Sequence, residues 1–235
     1  MAGMHSDDVA TPVASPRVAG LVLAAGAGSR YGRPKATVVD AAGEPWLVRA
    51  VLALEAAGCD PVLLVLGAGA AQAETLLRAA TDRFERPDRL CVVHADDWAT
   101  GLSASLDAGL TRLQADPAFG DNLAAVAVVP VDVPDLTAAA VRRVIADATV
   151  DSLRQAHFDG RPGHPVVIGR AHWAPLRAGL TGDTGARPYL LAHRVVPVAC
   201  DDLGTGLDVD RDAEVDVDGD ADLDVDGQVD RPTAE

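Results

Sequence analysis

The 235 residues suit one α/β domain, and 49% apolar composition with only 3% aromatics implies a core built from Ala, Val and Leu. The formal net charge of −15 argues against a nucleic-acid binder, and it is unevenly placed: residues 201–235 carry 14 acidic and 2 basic side chains, leaving the rest close to neutral. No apolar run reaches the ~18 residues of a membrane span. The first 16 residues hold Asp7 and Asp8 without the apolar stretch of a secretory leader, and Cys59, Cys91 and Cys200 are dispersed as buried thiols would be, so a soluble, cytoplasmic protein is expected.

A polar arm, 1–16, leads into alternating strands and helices. Residues 18–24 form a short continuous apolar run, as in a strand covered on both faces. A glycine-rich segment, 26–32, follows. Helical spacing of Leu47, Val51 and Leu54 predicts a helix over 45–57, stopped by Gly58. Strands are expected at 62–66, 90–93 and 124–129, and helices at 70–80 and 103–113. Thr137 is placed to cap a helix reaching about Asp147. The alternation then breaks: runs at 152–157 and 165–168 flank Asp159-Gly160-Arg161-Pro162-Gly163, a hairpin or long turn. Helices at 171–178 and 186–193 and a strand at 195–199 complete one three-layer α/β domain over 17–211, with a mostly parallel sheet and a late antiparallel element. From 212 to 235 Asp alternates with Val, Ala or Gly. Alternate oxygen ligands would suit calcium, but the Glu twelve positions into an EF-hand loop is missing, so a solvated acidic tail is the expectation.

The strongest local signal is the run 21–36, LVLAAGAGSRYGRPKA, in which a buried strand enters a loop holding Gly26, Gly28 and Gly32, then Arg33 and Lys35. Glycines let backbone N–H groups approach an anion, and Arg and Lys neutralise phosphate charge. Counting excludes two common motifs. A dinucleotide fingerprint needs Gly where Tyr31 stands, and a Walker loop needs Gly-Lys-Ser/Thr where Gly32-Arg33-Pro34-Lys35 stands.

The run Leu-Ala-Ala-Gly-x-Gly-x-Arg-x-Gly-x-Pro-Lys resembles the signature loop of the MobA-like nucleotidyltransferases, which have a Rossmann-like nucleotidyltransferase fold. The resemblance implies that Leu23, Ala24, Ala25, Gly26, Gly28 and Gly32 bind base and phosphates, and that Arg30 and Lys35 grip the triphosphate. It extends over most of the chain. Residues 97–106, DWATGLSASL, resemble a family segment whose small and hydroxyl residues line the nucleotide pocket, here Gly101, Ser103 and Ser105; either serine would equally cap a helix. Residues 130–134, PVDVP, resemble the family's Gly-Asp-Met-Pro, with Pro130-Val131 where a small Gly is usual. That implies Asp132 as the Mg²⁺ ligand, at the carboxyl end of a strand where open α/β sheets bind ligands.

Residues 160–165, GRPGHP, and 182–187, GDTGAR, resemble one branch, the molybdenum cofactor cytidylyltransferases. His164 then touches the acceptor or orders the turn, and Arg187, at a helix start, holds the acceptor's phosphate or pairs with a surface acid. Leu207-Asp208-Val209-Asp210 stands where the family supplies a second metal ligand, with Asp210 preferred and Asp208 in reserve. The implied reaction moves CMP from CTP, with Mg²⁺, onto a phosphorylated acceptor such as molybdopterin, with a molybdoenzyme as a partner. Two alternatives stay open: a nicotinamide-dependent oxidoreductase of the same family, of the nicotine-blue type, and a non-catalytic nucleotide-binding module serving molybdoenzyme maturation.

Overall fold

The computed structural model describes residues 16–119 and 122–209. Residues 1–15 of the N-terminal arm, the acidic alternation after residue 211 and Asp210 lie outside the described residues.

The strands are β1 (Arg17–Ala24), β2 (Val62–Leu66), β3 (Leu90–His94), β4 (Leu123–Pro130), β5 (Leu153–Phe158), β6 (Arg161–Gly169) and β7 (Val196–Ala199). They form one sheet in the order β3-β2-β1-β4-β6-β5-β7. Strand β6 alone runs against the rest, pairing antiparallel with both β4 and β5, while β5 and β7 pair in parallel. The fold is thus three-layered α/β with a mostly parallel sheet and a late antiparallel strand, as expected.

Alternation along β1 divides the core. Val18, Val22 and Ala24 pack on one face with α1 (Trp46–Ala57), α2 (Ala70–Ala79) and α4 (Ala138–Ile145). Ala19, Leu21 and Leu23 pack on the other with α3 (Leu102–Ala115) and α5 (Trp173–Ala178). Strands buried on both faces explain why the sequence reads there as unbroken apolar runs. Two glycines permit close approach of helices to β1. A Cβ on Gly20 would lie 2.9 Å from a Leu54 methyl of α1, and one on Gly109 of α3 would lie 2.6 Å from a Leu21 methyl.

Differences from expectation fall after β4. The turn between β5 and β6 is only Asp159-Gly160, since Phe158 pairs with Arg161. Both turn residues have positive φ, 49° and 73°, the geometry that matches strand twist in a two-residue hairpin. Strand β6 therefore begins four residues before the apolar run suggested; Arg161 and Pro162 are exposed, so no hydrophobic pattern marks them. The helix expected at 171–178 opens as a single 3₁₀ turn over Arg170–His172 before α5, whose fully buried Trp173 donates its indole N–H to the Ile168 carbonyl at 2.9 Å. The helix expected at 186–193 is shorter, α6 (Arg187–Ala192).

Candidate nucleotide-binding site

The strand order reverses direction between β1 and β4, so the loops leaving their carboxyl ends diverge over a crevice, the place where open α/β sheets take ligands. The Val131 N–H donates to the Leu23 carbonyl at 3.1 Å, holding the two strand ends together. A cavity of about 490 Å³ opens there, within the range of small-molecule sites.

The glycine-rich loop forms one wall. Gly28 has φ 62°, and its carbonyl accepts from the N–H groups of Tyr31 and Gly32. A Cβ on Gly28 would lie 1.9 Å from the Arg33 carbonyl oxygen, so the turn admits only glycine. Gly26 is different: its Cβ position meets nothing within 4 Å, so the fold leaves room for a side chain there, and that room lies at the cavity wall. Tyr31 is buried against Trp46 of α1, ring centroids 5.5 Å apart, and anchors the loop to the body of the domain. Pro34 then introduces a 3₁₀ turn, Lys35–Thr37, in which Ala36 and Thr37 are buried while Lys35 lines the cavity.

There Lys35 Nζ meets Asp132 Oδ2 at 2.6 Å, both side chains about five-sixths buried at 16% and 15% exposure. Asp132 lies two residues beyond β4. Its second oxygen, Oδ1, is buried with no hydrogen-bond partner among the described residues. A buried carboxylate oxygen left unsatisfied costs on the order of 1–3 kcal/mol, and such an atom suits a ligand cation. Among the described residues no three metal-ligating side chains cluster. A small hard cation held by one or two carboxylates plus substrate phosphates does not require such a cluster, so Asp132 fits a divalent ion of that kind.

Of the residues singled out in the sequence, Leu23, Ala24, Ala25, Gly26, Gly28, Arg30, Lys35, Gly101, Ser105 and Asp132 line this one cavity. Gly32 shapes the loop with φ 86° but is not in the lining. Ser103 is buried and turned away, its hydroxyl donating to the Thr181 carbonyl at 3.0 Å. His164 is half-buried in β6; burial pushes its imidazole below the usual range, against the opposing pull of the Asp132 and Asp208 carboxylates nearby. Arg187 is exposed on α6, outside the lining.

The chain after β7 is strapped back beside the Asp132 loop, which brings Asp208 near His164, outside the cavity lining. Asp135 Oδ2 accepts from Thr205 N (2.5 Å), Thr205 Oγ1 (2.6 Å) and Gly206 N (3.3 Å), and Val209 N donates to the Asp132 carbonyl at 3.0 Å. Sequence reasoning missed Asp135 as well as the cavity residues Tyr31, Trp98, Leu102 and Asp183. The family-like segments containing them were visible, but nothing local distinguishes a lining side chain from a neighbouring one.

Comparison with known proteins identifies a family and a fold. The family model described as MobA-like NTP transferase domain matches residues 20–197. Nicotine blue oxidoreductase of Paenarthrobacter nicotinovorans is 33% identical over 213 residues, covering 83% of this chain and 93% of that protein. The crystal structure of Rv0371c from Mycobacterium tuberculosis H37Rv superposes with TM-score 0.66 at 26% identity, covering 85% of this chain and 95% of that one. A complex of Rv0371c with manganese gives TM-score 0.59 at 25% identity, covering 82% and 94%. On this match the chain belongs to the MobA-like NTP transferase family.

Proposed function

We propose that the protein is a nucleotidyltransferase that takes CMP from CTP and joins it to a small phosphorylated acceptor of the molybdopterin type, releasing pyrophosphate. The observation that carries this reading is the Lys35–Asp132 pair on the cavity floor, with one Asp132 oxygen matched by a cation and the other buried without a partner.

The chemistry follows from charge. An oxygen of the acceptor phosphate attacks the α-phosphorus of the triphosphate, and the bond from that phosphorus to the bridging oxygen breaks, so the electron pair leaves with pyrophosphate. Both reactants are anions, so the protein's task is positioning and neutralisation. Arg30 and Lys35 face the phosphates from the glycine-rich loop and stabilise the departing pyrophosphate. Backbone of Leu23 to Gly28 cradles the nucleotide, and the run Leu23-Ala24-Ala25-Gly26 supports the cytidine nucleotide over the guanosine one. A divalent cation, Mg²⁺ or Mn²⁺, bound at Asp132 would lend further positive charge to the phosphates; Asp208, or Asp210 beyond the described residues, would complete its carboxylate set. In this reading His164 of β6, near Asp132 and Asp208 but outside the cavity lining, would touch the acceptor or order the turn beside it.

The likeness to nicotine blue oxidoreductase supports a second reading, reduction of a heteroaromatic substrate by a nicotinamide cofactor in the same cavity. One assay separates the two. Purified protein is incubated with each nucleoside triphosphate, Mg²⁺ and molybdopterin while pyrophosphate is measured, and NAD(P)H oxidation is followed with a dye acceptor. Pyrophosphate release that disappears in Asp132→Ala supports transfer. NAD(P)H consumption without pyrophosphate overturns it.

A further inference from the structure

The segment 181–185 plays no part in the transfer chemistry above, yet it closes one end of the cavity. Gly101 immediately precedes helix α3, with a φ of 123° that only glycine adopts readily. The first amides of this helix are taken by that segment: Leu102 N donates to Asp183 Oδ1 at 3.2 Å and Ser103 N to the Gly182 carbonyl at 3.0 Å. The approach is close enough that a Cβ on Gly101 would lie 2.5 Å from the Gly182 oxygen. The start of α3 therefore offers no open N–H groups for a phosphate, although helix starts commonly do. What it presents to the cavity is the exposed Asp183 carboxylate, beside Trp98, Leu102 and Ser105.

Topology sets this end apart from the charged one. The connection from β3 to α3 stands on the β2–β3 side of β1, whereas Asp132 follows β4 on the other side and draws Lys35 to it. A polyphosphate is attracted to Arg30 and Lys35 and repelled by the Asp183 carboxylate, so a nucleotide in this cavity lies with its phosphates toward Lys35 and its base toward Trp98 and Asp183.

We propose that Asp183 is a specificity-determining residue: its carboxylate accepts a hydrogen bond from an amino group on the edge of the nucleotide base, selecting cytosine against uracil. This rests on the nucleotidyltransferase reading and deepens it. On the edge that separates cytosine from uracil, C4 carries an amine in cytosine and a carbonyl oxygen in uracil, while the adjacent N3 accepts in cytosine and carries a proton in uracil; the contact proposed for Asp183 is the one at C4. Beside a carboxylate the amine is a donor in reach of an ionised acceptor, while the carbonyl sets two acceptors against each other. Sites built to receive a hydrogen bond reject the analogue that cannot give it. A hydrogen bond to a charged group corresponds to roughly 10- to 100-fold in affinity.

The test is direct nucleotide binding by the full chain, measured by calorimetry with Mn²⁺ and non-hydrolysable CTP and UTP analogues. The wild-type protein is expected to hold the CTP analogue roughly 10- to 100-fold more tightly. In Asp183→Asn the amide oxygen still accepts from Leu102 N, so α3 stays capped and the thermal midpoint stays near wild type. The amide NH₂ now faces the base, and the preference reverses toward UTP. Asp183→Ala binds both analogues with similar affinity. Equal loss for both in Asp183→Asn would assign the carboxylate to the ribose hydroxyls and overturn the proposal, as would an unchanged CTP:UTP ratio. Those results leave nucleotide binding intact. Failure of the wild-type protein to bind either analogue is a different outcome, and it overturns the transferase reading together with this one.

Discussion

Lys35 Nζ lies 2.6 Å from Asp132 Oδ2, although 97 residues separate them in the chain. The pair joins the loop after β1 to the loop after β4 and defines the floor of the cavity. It also sets two cations in competition for one carboxylate: the ammonium and any divalent ion.

That competition gives the first prediction. Removing the ammonium in Lys35→Ala frees Oδ2 and removes a repulsive charge, so Mn²⁺ binds the nucleotide-free protein more tightly, while pyrophosphate release falls on the order of 10²–10³-fold. Calorimetric Mn²⁺ titration beside the rate assay reads both. Weaker metal binding in this variant would mean that the ion does not sit on Asp132.

The two glycines of the loop should separate folding from binding. Gly28→Ala forces a Cβ onto the Arg33 carbonyl at a left-handed φ of 62°, and is expected to lower stability by about 1–3 kcal/mol. A Cβ at Gly26 meets no protein atom within 4 Å, so Gly26→Val is expected to keep its thermal midpoint near wild type while nucleotide affinity drops sharply. Thermal melts with nucleotide titrations check both variants; a Gly26→Val protein that binds nucleotide normally would show that the cavity is not the site.

Asp135 holds the strap carrying Asp208. Asp135→Ala leaves Thr205 N, Thr205 Oγ1 and Gly206 N without their acceptor, so a loss of about 1–3 kcal/mol is expected in urea unfolding. Proteolysis of the native protein should become faster within 203–209. Cleavage there at the wild-type rate would argue that the remaining bonds, Thr137 Oγ1 to the Leu203 carbonyl and Val209 N to the Asp132 carbonyl, suffice.

Burial pushes the Cys59 thiol from its ordinary 9.0 up to about 12. The folded state keeps the proton that the unfolded chain releases, so stability is full below about pH 9 and falls as pH rises toward 12, by about 1.4 kcal/mol per unit. Urea midpoints between pH 8.5 and 10.5 should show a shallower decline in Cys59→Ala than in wild type. Parallel slopes in the two proteins would remove Cys59 as the cause.

The sequence by itself determined the strand-helix alternation, the two-face burial of β1, β2 and β4, and the glycine-rich run with its Arg and Lys. These are local signals: hydrophobic period, turn chemistry and a motif read over a few residues. It also marked Asp132, through the resemblance of PVDVP to a family motif and its place just past a buried strand. Tertiary structure alone decided that Lys35 and Asp132 touch, since the strand order places β4 beside β1 and no spacing along the chain encodes that neighbour. It likewise decided that Asp183 caps α3 from 81 residues away and that Asp135 clasps Thr205 across 70. Single polar side chains in loops leave no periodic trace; their partners are fixed by where the sheet brings distant loops together.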